Sequence, residues 1–174
     1  MWTKKLVGEA PGWLIYEAPG VDFMYVDGNR LTPQSLEAYV YSLEASLRRL
    51  SQGTHSERGV VLEGHGTFGL FTATARRRLA QTVRQYAHEA EKHVVGTAVI
   101  TESSIFRGVV TAMGWLSPLS IPLSCFAHID LGLQWLATRK PDLAVADVLA
   151  ELTEVKLWAE RHWDTGQSSG VCSS

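Results

Sequence analysis

The residues GVVLE at 59–63 and VVGTAVIT at 94–101 decide the fold. Both are short apolar runs rich in β-branched side chains, and such runs predict strands buried in a sheet. The segment from about 74 to 92 predicts an amphipathic helix, because apolar side chains recur there at helical spacing: Leu79, Val83, Tyr86 and Ala90. A strand, a helix and a strand in this order predict two parallel strands with the helix packed on the sheet.

Two more strands and a helix are predicted before this unit. Segments 13–18 and 23–27 are rich in aromatic and β-branched residues and flank Pro19-Gly20, which predicts two strands joined by a turn. Thr32-Pro33 predicts a helix start, because the threonine can cap free amide groups and the proline sits where no amide donor is needed. The apolar positions of this helix follow without a gap: Leu36, Val40, Leu43, Leu47 and Leu50.

The second half of the chain predicts three more helices and a strand. A helix capped by Ser103 or Ser104 is predicted to end before Pro118. Residues 123–127 predict a strand, and helices are predicted from about residue 130 and over 142–163. The predicted fold class is therefore α/β: a small mixed, mostly parallel sheet of about five strands covered by helices, with an extra C-terminal helix.

The chain is predicted to form an α/β domain over residues 1–137, a C-terminal helical extension over 138–164 and a disordered tail over 165–174. The final helix carries an apolar stripe that consists of Leu149, Leu152, Val155 and either Trp158 or Ala159. This stripe must be buried against the same chain or against another one. The second alternative predicts a homodimer or a partner contact.

Composition limits the classes of function. Of the 174 residues, 45% are hydrophobic and 20% are charged, which is typical of a soluble domain with a substantial core. The net charge of -2, with acids and bases interspersed, provides no broad basic field, so nucleic acid is not a predicted partner. The uncharged run 108–127 is broken by prolines and a glycine, so no membrane span is predicted. Glycine and proline interrupt residues 8–12 before a signal peptide could form, which predicts a cytoplasmic location.

No metal, cofactor or catalytic residue is predicted. Cys125 and Cys172 are the two cysteines, and they lie far apart in the sequence, so neither a disulfide framework nor a zinc site is predicted. His88 and His93 are five residues apart, so at about 100° per residue they point in different directions and cannot hold one metal ion. The sequence contains no nucleophile elbow, no P-loop and no pair of carboxylates that can be assigned to acid–base work.

The segment after the 59–63 strand, Gly64-His65-Gly66-Thr67-Phe68-Gly69, matches the pattern G-x-G-x-x-G. In dinucleotide-binding folds this pattern lets the backbone and a helix N-terminus approach a pyrophosphate. The motif here does not open the fold, and Glu102, the acid after the next strand, lies well beyond the usual distance of about 20 residues. A simple strand-to-helix loop is the favoured interpretation, and an anion or partner site at Gly64, Gly66 and Gly69 is the alternative.

Three consecutive arginines, Arg76, Arg77 and Arg78, stand near the start of the second helix. They predict either a solvated helix face or a surface that receives a phosphate or an acidic partner. Positive charge near a helix N-terminus is electrostatically unfavourable, which favours the binding interpretation. Thr72 and Thr74 lie near the same helix start, where a hydroxyl can cap the helix or accept a phosphate.

The sequence resembles bacterial STAS-like proteins, which are related to the anti-sigma-factor antagonists. The resemblance rests on VVLE at 60–63, GTAVIT at 96–101 and SIFRGVVTA at 104–112 with Trp115-Leu116. FAHID at 126–130, followed by Leu133 and Trp135-Leu136, is similar to the strand and short helix that end the group's domain. The resemblance covers roughly Trp13 to Ala137.

The resemblance implies a small helix-covered sheet that acts as a non-catalytic protein-interaction module with a regulatory or adaptor role. In some relatives a hydroxyl at the start of the helix after the central strand is phosphorylated, which implies Thr72 or Thr74 as the phosphoacceptor here. The Asp-Ser element expected before that helix is missing from residues 64–74. Two alternatives stay open: an immunity-type protein that neutralises a toxin by binding, and a binder of nucleotides or other phosphate ligands.

Overall fold

The structure is a computed structural model that describes residues 6–51, 57–66, 73–103, 107 and 120–165. The strands in these ranges are β1 (Leu6–Ala10), β2 (Trp13–Ala18), β3 (Val21–Asp27), β4 (Arg58–His65), β5 (Val94–Ile100) and β6 (Leu123–Phe126). The helices are α1 (Pro33–Ser51) between β3 and β4, α2 (Ala73–His93) between β4 and β5, and α3 (Ile129–Ala137) and α4 (Val145–Asp164) after β6.

The described strands form one mixed sheet whose order follows the chain from β1 to β6. The β1–β2 and β2–β3 pairs are antiparallel, whereas β3–β4, β4–β5 and β5–β6 are parallel. Parallel neighbours need a crossover connection, and α1 and α2 supply two of these crossovers. The predicted α/β class with a mixed, mostly parallel sheet is confirmed.

The prediction from sequence missed β1, and two other predictions lie largely outside the described residues. β1 is an edge strand whose pairing with β2 is irregular between Leu6 and Gly8, which weakens the alternation that marks a strand. Within the predicted helix after β5, the Arg107 N–H donates to the Ser103 carbonyl oxygen over 3.0 Å, and residues 108–119 are not described. The tail predicted to be disordered is outside the described residues from 166 onward.

α1 begins at the predicted position, and its first turn is closed by two reciprocal hydrogen bonds. The Thr32 hydroxyl oxygen accepts from the Ser35 N–H over 3.1 Å, and the Ser35 hydroxyl oxygen accepts from the Thr32 N–H over 2.8 Å. Pro33 occupies the first helical position, where a missing N–H has no consequence. The side chains therefore satisfy amide donors near the N-terminus that the helix itself cannot.

Helices cover both faces of the sheet. α1 packs on one face against Trp13, Ile15 and Met24. α2 lies beside α1 on this face, where Leu47 of α1 packs near Ala90 of α2. α3 and α4 pack on the opposite face over the larger hydrophobic core. The molecule is thus built of three layers, with the sheet in the middle.

α4 belongs to the same hydrophobic core as the sheet. The residues of its inner stripe are almost fully buried: Val148, Leu152, Val155 and Ala159. Leu149, which the sequence predicted for this stripe, is partly buried at its margin, because positions 148, 152, 155 and 159 share one face at 3.6 residues per turn. Of the two alternatives for the apolar stripe, the structure shows burial against the same chain. The division of the chain at residue 137 stays a prediction.

Candidate functional site

The glycine-rich segment begins inside the sheet. Gly64 is a buried residue of β4 and pairs with Val26 of β3. Gly66 follows the strand with a φ angle of 76°, and an added Cβ atom there would lie 2.5 Å from Nδ2 of Asn29. Gly69 lies outside the described residues. The first glycine is therefore a strand residue, and the use of this segment as an anion site stays a prediction.

Among the described residues, the helices that follow β3 and β4 are not arranged as they are around a ligand crevice. In open α/β sheets, ligands bind where the chain after one strand turns to one face and the chain after the next strand turns to the other. Here α1 follows β3 and α2 follows β4, and both helices lie on the same face. The helices that connect β3, β4 and β5 therefore do not switch faces, and such a switch is what creates a dinucleotide site.

A group of charged residues meets on the other face, at the carboxyl end of β4. Glu63 is 5% exposed, and its Oε1 atom accepts a hydrogen bond from Nζ of Lys156 in α4. The same oxygen lies 2.7 Å from Nε2 of His65, which points to the same face of β4 two residues later. Lys156 Nζ also lies 4.8 Å from the centre of the Tyr25 ring. We call Glu63, His65 and Lys156 the Glu63 cluster, and it ties α4 to β3 and β4.

The last turns of α4 are held by a second set of contacts with β3 and the turn after it. The Tyr25 hydroxyl donates to Oε1 of Glu160 over 2.7 Å, and the Tyr25 ring stacks on Trp163 with centroids 5.7 Å apart. Arg30 donates from Nη1 to the Glu160 carbonyl oxygen over 3.1 Å and pairs with Asp164 at 2.8 Å. Burial and the Glu160 carboxylate raise the pKa of Tyr25, so its hydroxyl stays protonated as the donor.

Glu63 is ionised by its partners although it is buried. Burial by itself would raise the pKa of the Glu63 carboxyl group, but the hydrogen bonds with His65 and Lys156 and the positive charge of Lys156 outweigh it and lower the pKa below its usual 4.5. A carboxylate with a lowered pKa stabilises the folded state at neutral pH. The charges of this cluster are thus engaged with one another, and they serve to hold α4 on the sheet.

This pairing predicts a specific acid sensitivity. We expect Glu63→Gln to be less stable than the wild type at pH 7, and the difference between them to shrink as the pH falls below about 4.5, the pKa expected in the unfolded chain. Below that value the unfolded chain binds a proton that the folded state resists, so the stabilisation by Glu63 is lost. Urea unfolding of both proteins between neutral pH and pH about 3 measures this.

Glu154→Gln is the control for the acid experiment, because Glu154 is an exposed acid of the same helix. Its difference from the wild type should stay small and vary little with pH. A difference between wild type and Glu63→Gln that stayed constant down to acid pH would contradict the assignment of Glu63 as the ionised partner.

The predicted basic and hydroxyl residues lie on α2. Thr74, Arg77 and Arg78 are exposed near the start of this helix, and Arg76 is part of the same turn. Thr72 lies outside the described residues. The structure thus brings Thr74 and the arginines together on one helix, separate from the Glu63 cluster on the opposite face of the sheet.

Three exposed arginines on the outward surface of α2 make no ion pair among the described residues: Arg77, Arg78 and Arg84. Arg84 is exposed seven residues after Arg77, which places both side chains on the same side of the helix. We call these three residues the α2 basic surface.

The charge of α2 contrasts with that of the whole chain. α2 contains five Lys and Arg residues against two Glu residues. This leaves 11 of the 16 basic and 16 of the 18 acidic residues for the rest of the chain. The acids of α2, Glu89 and Glu91, both lie in its last turns, so its N-terminal half carries positive charge alone. Such a local field attracts an acidic surface.

Comparison of the chain with protein-family models, with curated proteins and with solved structures returned no match. The STAS-like resemblance therefore stays a prediction. In the parts of the chain that the structure describes, no helix is both long and apolar enough to cross a bilayer, and no three His, Cys, Asp or Glu residues are grouped so that they could hold a metal ion.

Sequence reasoning identified the arginines but missed the Glu63 cluster. A signal for Glu63 was present, since an acid inside the apolar run GVVLEGH must be buried with a cation or exposed at the strand end. Nothing in the sequence singled out Lys156 as that cation, because the two residues are 93 positions apart and meet only in the folded chain.

Proposed function

We propose that this chain is a non-catalytic, STAS-like protein-interaction module with a regulatory or adaptor role, and that it docks an acidic protein on the α2 basic surface. The observation that carries the proposal is the exposure of Arg77, Arg78 and Arg84 without an ion pair among the described residues. Arginine is suited to this task because its planar guanidinium group binds carboxylates and phosphates in two-point contacts.

The placement of these arginines supports binding because it does not favour stability. Arg77 and Arg78 lie near the positive end of the α2 dipole, where positive side chains are unfavourable. The first turn of α2 contains no acidic residue that would offset this unfavourable interaction with the dipole. A partner that supplies carboxylates would remove the unfavourable term, so the arrangement favours a bound state.

The Glu63 cluster supports a non-catalytic role. Its carboxylate, ammonium and imidazole groups lie within hydrogen-bonding distance of one another, and together they hold α4 on the sheet. Between β3 and β5, the connecting helices also do not switch from one face of the sheet to the other, which is the arrangement that creates a dinucleotide crevice. Neutralisation of a toxin by binding is one form that such docking could take, and it uses the same surface.

The experiment that tests the proposal compares partner capture by matched variants. We expect tagged wild-type protein to retain an acidic protein from its native host at low salt, and Arg77→Gln/Arg78→Gln/Arg84→Gln to retain roughly tenfold less or none of it. The melting temperature of the triple variant should be equal to or above that of the wild type, because unfavourable charge is removed. Arg107→Gln, at an exposed arginine outside α2, should capture as much as the wild type.

Two results would reject this function. One is equal capture by the wild type and the triple variant, which would show that the partner does not bind through the α2 basic surface. The other is a rise in melting temperature with a nucleotide, since a ligand at about 100 times its dissociation constant adds about 2.7 kcal/mol of stability and would indicate a phosphate-ligand binder.

Phosphorylation of Thr74 would regulate this surface. The exposed Thr74 precedes Arg77 and Arg78 by three and four residues, so a phosphate there would lie beside both guanidinium groups and near the helix N-terminus. It would neutralise the charge that attracts the partner. The intact mass of protein purified from the native host shows whether the modification occurs, and its absence under all growth conditions would remove this form of regulation.

A further inference from the structure

Two helices on opposite faces of the sheet present outward stripes of charge. Three exposed positions of α2 are seven residues apart, and we call them the α2 stripe: Arg77, Arg84 and Glu91. Three exposed positions of α4 are also seven apart, and we call them the α4 stripe: Asp147, Glu154 and Arg161. Residues seven apart lie on the same side of a helix at a spacing of about 10.5 Å. The α2 stripe is positive, positive and negative, and the α4 stripe is negative, negative and positive.

We propose that the α2 stripe of one copy of this chain docks on the α4 stripe of a second copy, with the two helices parallel. In this register all three contacts join opposite charges: Arg77 with Asp147, Arg84 with Glu154, and Glu91 with Arg161. Because both stripes have the same seven-residue period, one alignment satisfies all three contacts.

The other pairings of these stripes bring like charges together. An antiparallel arrangement keeps Arg84 opposite Glu154 but places Arg77 against Arg161. Two α2 stripes packed antiparallel place Arg84 against its copy, and two α4 stripes place Glu154 against its copy. Like charges across an interface are unfavourable, so the pattern selects the parallel contact between α2 and α4.

The α4 stripe also offers apolar surface between its charges. Ala150 and Leu157 are exposed there, and 50% of Leu157 is accessible to solvent.

Two charged residues of the stripes already make hydrogen bonds within the chain. Glu91 accepts the Ser120 N–H through Oε1, and Arg161 donates from Nε to the Leu157 carbonyl oxygen. A carboxylate has a second oxygen and a guanidinium group has further N–H donors, so both side chains can still pair across the contact.

The contact joins different surfaces of the two copies. Because α2 and α4 lie on opposite faces of the sheet, each copy can use both stripes at once. Such head-to-tail contacts produce rings or open chains, in contrast to the closed dimer that one shared surface gives. Exposed ion pairs are individually weak and are screened by salt, so association should require concentrated protein and low ionic strength.

Charge reversal in separate copies tests the proposal with purified protein. At about 0.01 M salt, where the screening length is about 30 Å, we expect the mass of the wild type in sedimentation to rise with protein concentration, and this rise to disappear at about 1 M salt. Arg84→Glu alone and Glu154→Arg alone should each weaken association roughly tenfold or more, because every contact then holds a like-charge pair. An equimolar mixture of the two variants should associate again, since alternating copies restore opposite charges in every contact.

Glu37→Arg, which reverses an exposed acid on α1, is the matched control and should associate like the wild type. A wild type that stays monomeric at low salt and high concentration, or a mixture that fails to recover association, would overturn the inference. The inference uses the same α2 surface as the proposed function but can fail separately. Glu154→Arg leaves the α2 basic surface intact, so it should still capture an acidic host protein.

Discussion

Replacement of Leu152 by alanine is expected to lower the free energy of unfolding by about 2–5 kcal/mol. Leu152 is fully buried in the middle of the inner stripe of α4, where it packs in one core with residues of the sheet. Its truncation removes buried apolar area and leaves a cavity that the tightly packed layers can fill only in part. Urea unfolding measures the loss as a lower midpoint with an unchanged slope.

Leu157→Ala is the matched control for this prediction, because it makes the same change in the same helix at a half-exposed position. We expect its loss of stability to be well below that of Leu152→Ala. Equal effects of the two substitutions would show that α4 does not pack on the sheet in solution. A second, separate unfolding transition in Leu152→Ala would show that α4 folds as an extension and not as part of the core.

The sequence predicts most of the fold because most of its elements have a local signal. β2, β4 and β5 each contain a short apolar run, and α1 starts at Thr32-Pro33, where the capping chemistry is contained within four residues. β1 has no such signal, since Gly8 and Glu9 interrupt its apolar residues and its pairing with β2 is irregular. Its strand conformation depends on β2, which is a tertiary effect.

The candidate site could be predicted only in part. Consecutive arginines near a helix start are visible in the sequence, and periodicity indicates that Arg77 and Arg84 share a side of α2. That no acidic residue meets them within the described chain depends on packing. The sequence also could not predict that the α2 and α4 stripes lie on opposite sides of the molecule. Their positions depend on which face of each helix the core covers.

Replacement of Arg58 by alanine is expected to have the second large effect, a loss of about 3–5 kcal/mol. Arg58 opens β4, and its side chain is 12% exposed beside that of Asp22, which is 13% exposed. The guanidinium group donates from Nε to Oδ1 of Asp22 over 3.0 Å and from Nη2 to the carbonyl oxygens of Ala18 and Val21 over 2.9 Å each. Alanine would leave a largely buried carboxylate and two carbonyl groups without these donors.

A double-mutant cycle separates the ion pair from the rest of the effect. Asp22→Asn removes the carboxylate charge, so Arg58→Ala should lose less stability in that background than in the wild type, with a coupling of about 0.5–3 kcal/mol. Arg58→Lys should be intermediate, because an ammonium group keeps the charge but cannot reach Asp22 and both carbonyl oxygens in the planar geometry of the guanidinium group. Strict additivity of Arg58→Ala and Asp22→Asn would mean that the pair contributes nothing. The stabilisation by Arg58 would then come from its contacts with the carbonyl oxygens of Ala18 and Val21.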